Sequence, residues 1–449
     1  MDPSEALDVL DAVVDRAEPG EQLEAVLQWT DSTEVRAHGG QVEHFVSAVE
    51  VGVGIRVIRN GRTGMSWSGV LDTEAVGTAL EEARDNSRFA SADPNAGLAE
   101  PDGVDPVVLP TEDPALARVS AEDKLAFALE LDSRLAAADD RMVGHEGADY
   151  SDARVVSAVA STKGIRAAES ETIAQAAIWA LASDGKEVTT GFGLDAARGF
   201  EQLDADTVVA EAVARATGLL GATKPPSGRV TVVLDPYVTS QFLGVVAEML
   251  SGEEVARGRS PFAGRVGEVV ASESFSLADD PHAVDAPTAG VVDGEGLATR
   301  PVPLVEQGLL TGFLHNSYSA RMLGAASTAS ATRAGYRGAP GVGPRVLTPA
   351  PGEMGVDELH RSLADAVVVQ EFAGLHSGVN PTSGDLSVGI EGFRLRSGER
   401  AEPIKEVTIA SSIQRMLTDI VAVGSDLRRF PWDASGVSLA IADVTLSGT

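Results

Sequence analysis

The chain has 449 residues, 43% of them hydrophobic, with 67 acidic against 35 basic side chains and a formal net charge of −32. A field this negative repels phosphate backbones and anionic lipid, which argues against nucleic acid and membrane as partners. The length is two to three times that of a typical domain and the apolar fraction suffices for packed cores, so global disorder is excluded and two domains are expected.

Cysteine is absent. That removes disulfides, thiolate nucleophiles, iron–sulfur clusters and any zinc site using sulfur, and leaves seven histidines as strong metal ligands. The start, Met1-Asp2-Pro3-Ser4-Glu5-Ala6-Leu7, lacks a basic segment followed by an apolar run, and no stretch is apolar for long enough to span a bilayer, so a cytoplasmic location is expected. Only five basic residues are lysine, at positions 124, 163, 186, 224 and 405. An acidic, lysine-poor chain suits a salt-rich cytoplasm, where screening shortens self-repulsion; a GC-rich genome favouring Arg, Ala, Gly and Asp codons explains it equally.

Leu7, Leu10, Val14 and Ala17 recur at helical spacing behind Pro3 and predict an amphipathic helix. Strand-like runs follow at Glu24 to Trp29 and Val49 to Ile58, the latter turning through Asn60-Gly61 into Met65-Ser66-Trp67, because Asn-Gly tolerates the positive φ of a tight hairpin. A helix is expected from Thr73 to Arg84. After it comes a surface excursion with prolines at 94, 101, 106, 110 and 114, then a helix capped by Ser120 and running to Ala138. Val143 to Phe192 alternates with period two, broken at Lys163-Gly164 and Asp184-Gly185, and reads as an antiparallel meander closed by a helix from Asp206 to Leu219.

Residues 221–228, Gly-Ala-Thr-Lys-Pro-Pro-Ser-Gly, form the expected linker between an N-terminal domain, 1–220, and a C-terminal domain, 229–449. The second half opens with β-branched Val230 to Leu234 and a helix from Val238 to Leu250. It continues as short strands and glycine-rich loops, with bends at Gln307-Gly308 and Ser397-Gly398 and a final strand from Gly436 to Leu446. The expected class is α+β: an α/β N-terminal domain with an antiparallel sheet, and a β-barrel-like mixed-sheet C-terminal domain with covering helices.

Motifs of catalysis are weak. His145-Glu146 begins like a zinc-protease helix but lacks the second histidine and lies in a strand-like run, where a surface His-Glu pair is the better account. Ser183 and Lys186 have Ser-x-x-Lys spacing across what reads as a turn rather than a helix face. Asp279, Asp280, Asp285, Asp293 and Glu295 could offer oxygens to Ca²⁺ or Mg²⁺, although on a chain this acidic they read first as solvated loop charge. The loop from Ser327 to Gly338 is small and hydroxyl-rich with Arg333 and Arg337 four apart, which could engage a carboxylate or peptide carbonyls or simply form a flexible surface loop. His376, Asn380 and Asp385 lie in a second loop that could line the same groove.

In order along the second half stand Leu234-Asp235-Pro236; Gly258-Arg259-Ser260-Pro261-Phe262 with Gly264 and Gly267; Asp293-Gly294-Glu295-Gly296; Leu304 to Leu310; Ala320-Arg321-Met322-Leu323-Gly324; Pro381-Thr382-Ser383-Gly384-Asp385; and Ile420 to Asp426. In this order they resemble the TldD/PmbA family, described as candidate modulators of DNA gyrase and as peptidase subunits. Gly52 to Val57 and Asn60 to Gly64 resemble the family's N-terminal domain more loosely. The resemblance implies two branches: TldD-like chains with an HExxxH helix and a C-terminal cysteine that bind zinc, and TldE/PmbA-like chains without them that pair with a TldD-like chain. Here the three motif positions fall at Leu243, Gly244 and Glu248, so the resemblance is to the TldE/PmbA branch.

That branch implies a subunit without its own zinc or catalytic residues, joined to a TldD-like zinc metalloprotease subunit, with unfolded peptide as substrate. Arg333, Arg337, His376, Asn380 and Asp385 are then candidates for the peptide or partner face. The rival expectation is a stand-alone homodimer that binds a peptide or small ligand without cleaving it. A third is an independent hydrolase with a metal held by His315 and acidic residues.

Overall fold

The computed structural model describes all residues, 1–449. The first helix, α1 (Pro3–Val14), starts at Asp2, whose carboxylate accepts from the Ser4 and Glu5 amides while Glu5 reaches back, and Pro3 supplies the first-turn φ. It buries Ala6, Leu10 and Val13. Strands β1 (Gln22–His38), β2 (Gln41–Arg59) and β3 (Arg62–Ser68) follow, then α2 (Thr73–Phe89), α3 (Ala121–Ala138), β4 (Met142–Ser161), β5 (Arg166–Ser183), β6 (Val188–Ala197) and α4 (Ala205–Gly218). The strands form one antiparallel sheet in the order β3-β2-β1-β4-β5-β6.

Strand alternation assigns the sheet's two faces. On β1, Leu23, Ala25 and Leu27 point to α1 and α2; farther along, Val35 and Ala37 join Tyr150, Ile178 and the apolar stripes of α3 and α4. All four helices thus cover one face. The opposite face carries Glu24, Val26 and Gln28, with Arg56, Glu169 and Glu171 on the neighbouring strands, and turns toward the second half of the chain.

β1 and β2 are longer than their apolar runs suggest. Residues 30–48 alternate too, with Thr33, Val35 and Ala37 buried, but the alternation is faint because the intervening side chains are mostly polar; the hairpin turns at Gly39-Gly40, both at positive φ. From Gln41 to Gly52, β2 has no strand on its outer side and exposes Val42, Phe45, Val46 and Val49. Asn60-Gly61, the Ser120 cap and the two meander breaks occur where the sequence places them.

The proline-rich excursion runs over the surface, with residues 101–108 exposed, but it is anchored at its start. Leu98 and Ala99 are buried, Arg321 donates to the carbonyls of Asn95, Gly97 and Leu98, Tyr318 donates to Asp93 at 2.7 Å, and Arg300 pairs with Asp102. It straps the first half to the second.

The second half continues with β7 (Gly228–Leu234), α5 (Pro236–Met249), α6 (Gly252–Ala256), β8 (Leu277–Asp279), β9 (Val302–Glu306), β10 (Leu309–Leu310), α7 (Ser317–Leu323), β11 (Ala331–Thr332), β12 (Gly341–Val342), β13 (Leu347–Pro349), α8 (Val356–Ser362), β14 (Asp365–Ala373), α9 (Leu375–Gly378), β15 (Asp385–Arg396), β16 (Glu399–Ser412), α10 (Ile413–Thr418), β17 (Ile420–Val423) and β18 (Leu439–Ser447). The order β16-β15-β14-β7-β18 closes through Ile409 opposite Leu446, giving a five-stranded barrel in which only β7 and β14 run parallel. A continuous core of 40 buried side chains fills the barrel and the layer under α5. The α+β expectation, an antiparallel N-terminal sheet and a C-terminal mixed barrel, is the observed architecture.

Gly191 and Gly193 on β6 are where α4 approaches closest: a Cβ on Gly193 would lie 1.9 Å from the Val208 carbonyl oxygen. Gly193→Ala should therefore push α4 off the sheet and lower stability by about 1–3 kcal/mol, read from the urea midpoint.

Candidate functional site

The polar face of the N-terminal sheet and residues 279–345 of the second half enclose a cavity of about 370 Å³. Its floor is built by β1, β4 and β5, whose inward residues include Val26, Gln28, Ser157, Val159, Glu169 and Glu171; its roof carries Asp279, Asp293, Arg333, Tyr336 and Arg345.

Two ion-pair clusters tie floor to roof. In one, Arg56 forks onto Glu24 at 3.1 and 2.8 Å, and Arg333 pairs with the same carboxylate while donating to the carbonyls of Gly294 and Gly338. The Glu24 side chain is 1% exposed and that of Arg333 8%. Burial alone would raise the Glu24 pKa, but Arg333 and Arg56 outweigh it and hold the carboxyl below its ordinary value. In the other, Arg345 reaches Glu169 at 2.9 Å and Glu171 at 3.2 Å while donating to the Thr288 and Val292 carbonyls. Burial, aided by Glu169, still keeps Glu171 raised.

The acidic stretch is buried rather than solvated, which corrects the expectation for Asp279, Asp293 and Glu295; only Asp285 is exposed, pairing with Arg429. Asp279 accepts from the Arg345 and Val346 amides, and Asp293 from those of Glu295, Leu297 and Ala331, so each carboxylate pins a loop. Burial pushes Asp279 up to about 6 and, with Glu295 beside it, Asp293 up to about 7. Glu295 accepts from the Ser317 amide at 2.8 Å, its other oxygen lying 3.9 Å from Arg56 without a hydrogen bond.

The two arginines of the hydroxyl-rich loop have different surroundings. Arg333 is locked in the cluster just described, so it is no part of a flexible surface loop. Arg337 is exposed, its guanidinium 4.1 Å above the Trp67 ring, and it donates to the Tyr336 hydroxyl. The Tyr336 ring lies on β2 where no side chain intervenes: a Cβ on Gly52 would be 2.1 Å from Tyr336 Cζ, and one on Gly54 would be 1.7 Å from its carbonyl oxygen.

His376 is exposed on α9, and Asn380 and Asp385 shape their own loop, Asn380 accepting from the Thr382 and Ser383 amides and Asp385 from the Ser383 hydroxyl. No hydrogen bond or ion pair joins this loop to the Arg333 loop. His315 is buried with Nδ1 3.1 Å from the Ser319 hydroxyl and no carboxylate on either ring nitrogen; burial lowers its pKa. His145 is also buried, against Asp132 and the His38 ring, which corrects the surface expectation. Ser183 donates to the Glu187 carbonyl within its turn.

The positions that the resemblance assigns to the zinc motif lie on α5. Leu243 is fully buried in the barrel core, Gly244 has open space where a side chain would project, and Glu248 is an exposed carboxylate raised by partial burial and by Glu254. Leucine offers no donor atom and glycine no side chain, so these residues do not fit a zinc ion, which needs three convergent protein ligands.

Glu24, Arg56, Glu169, Glu171, Tyr336 and Arg345 were not singled out from the sequence. The signal for the first lay in β1, where one glutamate interrupts the apolar Leu23-Ala25-Val26-Leu27, and for Glu169 and Glu171 in two acids at strand spacing on one face.

Arg333→Ala leaves the buried carboxylates Glu24 and Glu295 with Arg56 alone and strips the Gly294 and Gly338 carbonyls of their donor, and should lower stability by about 3–5 kcal/mol, whereas Arg337→Ala should change it by about 1 kcal/mol or less, both read by chemical denaturation. Asp293 keeps a proton in the folded state that the unfolded chain releases at its ordinary value of 3.8. Between about pH 4 and pH 7 its contribution to stability therefore falls as pH rises. The urea midpoint of the native protein minus that of Asp293→Asn should accordingly be smaller at about pH 8 than at about pH 5.

Comparison with known proteins identifies the family. Residues 227–448 match the family model for the PmbA/TldA metallopeptidase C-terminal domain, residues 23–87 that for domain 1 and residues 114–220 that for the central domain. A protein named Metalloprotease from Methanothermobacter thermautotrophicus is 30% identical, with 87% of this chain and 85% of that one covered. Metalloprotease PmbA of Escherichia coli is 24% identical over 90% of this chain and 87% of its own. A Thermotoga maritima structure described as a candidate modulator of a DNA gyrase superposes with a TM-score of 0.89 at 25% identity, covering 99% of this chain and 100% of that one. TldE from Thermococcus kodakarensis has the same fold, with a TM-score of 0.90 at 20% identity over 98% and 100% of the two chains. The chain belongs to the TldD/PmbA family of metallopeptidase-type proteins.

Proposed function

We propose that this chain is a TldE/PmbA-like subunit of a TldD/TldE-type zinc metalloprotease complex that acts on unfolded peptides, and that it carries no zinc or catalytic residue of its own. The observation that carries this reading is α5: the helix is packed through Phe242, Leu243, Val246 and Met249, while no histidine stands at the positions the resemblance assigns to the motif, and Glu248 is the one side chain there that could reach a metal. Relatives named for TldD and TldE support a partnership between two kinds of chain in this family. A TldD-like partner supplies zinc, and with it the polarised water that cleaves the peptide bond.

In this reading the present chain binds, orients and encloses. The interdomain cavity and the Arg337–Trp67–Tyr336 platform form its peptide- or partner-facing surface, with His376, Asn380 and Asp385 on a separate loop of that surface. Arg333 acts behind it, holding the loop in place. The subunit belongs to the cytoplasm, where unfolded peptides arise.

The test is to purify the chain alone and together with an HExxxH-bearing TldD-like chain, in chelator-free buffer of high potassium chloride. The chain alone should be near zero in zinc and inert toward an unfolded polypeptide. The pair should co-elute and cleave, and should lose cleavage on chelation. Replacing Arg333 and Arg337 together by Ala should weaken both co-elution and cleavage. About one zinc per chain with cleavage by the chain alone would overturn the reading; a stable, inert homodimer that ignores the HExxxH chain would replace it with the stand-alone binder.

A further inference from the structure

A second interdomain groove, of about 300 Å³, lies between β5 and β6 of the N-terminal sheet and the start of α5. Its walls are aromatic. Trp179 is 42% exposed there, and Phe192 sits opposite it across the strand pair. The Phe192 ring is 4.5 Å from that of Tyr237, which meets Trp432 edge-on at 5.9 Å. Trp432 is fixed by its indole N–H, which donates to the Ser240 hydroxyl at 3.1 Å.

Glu371 of β14 also lines this groove. It is half-buried and makes no hydrogen bond and no ion pair. Directly opposite it on β15 stands Glu391, equally without a partner. Two carboxylates facing one another across a strand pair destabilise a sheet unless a cation sits between or above them. Burial, and then Glu391, hold Glu371 above its ordinary value. Arg215 offsets this charge in part from a distance but forms no ion pair with it, being committed to Asp235 at 2.8 Å, Glu211 at 3.0 Å and the Gln370 carbonyl.

The same rings already accept cations. Arg215 stacks 4.6 Å from the Phe192 centroid and 5.6 Å from that of Tyr237, and Arg428 lies 5.1 Å from Phe430, which stacks on Trp432. A carboxylate with an unmet charge among aromatic rings is the chemistry that holds an ammonium or guanidinium group, through charge and ring quadrupole together. The groove also continues: Gln175, Ala177 and Trp179 are shared with a second depression of about 700 Å³ whose walls carry Glu34 and Glu43. The trough so formed follows the open inner face of β5, as an extended chain would, at ~3.3 Å per residue.

We infer that this trough receives an extended peptide and that its aromatic end, Glu371 with Trp179, Tyr237 and Trp432, is a pocket for a lysine or arginine side chain. The inference rests on the peptide-binding reading above and adds to it a substrate class: segments with a basic residue. The chain's overall negative charge works in the same direction, drawing basic segments toward the trough.

The test uses the full chain without a partner, so that it reads binding and not cleavage or complex formation. A dye-labelled extended peptide with one central lysine is titrated by fluorescence anisotropy against the same peptide with norleucine, which keeps the alkyl stem and removes the charge. The lysine peptide should bind about ten-fold more tightly. Glu371→Gln should cut that preference to about two-fold, and Trp179→Ala, at an exposed position whose loss leaves the core intact, should weaken the lysine peptide about five-fold. Equal binding of the two peptides, a preference that survives Glu371→Gln, or no binding of either peptide would overturn the inference, whatever becomes of the TldD-like partnership.

Discussion

The structure depends on buried charge being paired across the boundary between its two halves. Glu24 and Arg56 on the N-terminal sheet and Arg333 on a loop of the second half are taken out of water together, the matching set Glu169, Glu171 and Arg345 is partly so, and a buried charge of this kind would be costly alone. Such pairs demand close geometry and so fix how the halves meet more narrowly than apolar contact does. The loops over the cavity inherit that precision. Asp279 and Asp293 spend their oxygens on backbone amides of the same loops, Arg345 on backbone carbonyls, and Gly52 and Gly54 let Tyr336 lie directly on β2.

Much of the architecture was legible because it is written locally. Asn60-Gly61, Gln307-Gly308 and Ser397-Gly398 turn where positive φ is required, Ser120 caps its helix, and the period-two run from Val143 to Phe192 is a meander. Residues 30–48 were not read as strand because polar side chains are interleaved with apolar ones on both faces and Val42, Phe45 and Val46 stay exposed, which blurs the period-two signal. The site was less legible still. A run of acids between glycines looks solvated, and what buries Asp293 or Glu295 is a fold that brings residues from far along the chain over them. Arg333 and Arg337, four apart in a loop, look equivalent in sequence; one is locked to Glu24, more than three hundred residues away, and the other lies over an exposed tryptophan.

α5 shows how one helix can be held in place by packing alone. Its buried side, Phe242, Leu243, Val246 and Met249, is part of the barrel core, so the helix is required for folding whether or not it holds a metal. The family resemblance came from landmarks around this helix, which record the fold. Residues that hold a fold together need not be those that carry a reaction, so membership of a metallopeptidase family does not by itself assign a peptidase to this chain.

The strap formed by residues 90–115, and the charged face it borders, also bear on synthesis. Chains emerge from the ribosome N-terminus first, and domains tend to fold as they appear. The six-stranded sheet can close once β6 is made, but the strap's anchors, Tyr318 and Arg321, and the counter-charges Arg333 and Arg345 are translated more than a hundred residues later. During that interval Glu169 and Glu171 are hydrated rather than paired, Glu24 has only Arg56 of its own sheet as a partner, and the strap is unanchored. A largely polar inner face is suited to that wait: the half-made protein presents water-loving charge to the cell, with only small patches such as Val26, Val159 and Ile165 left bare, where a hydrophobic interface between the halves would expose far more.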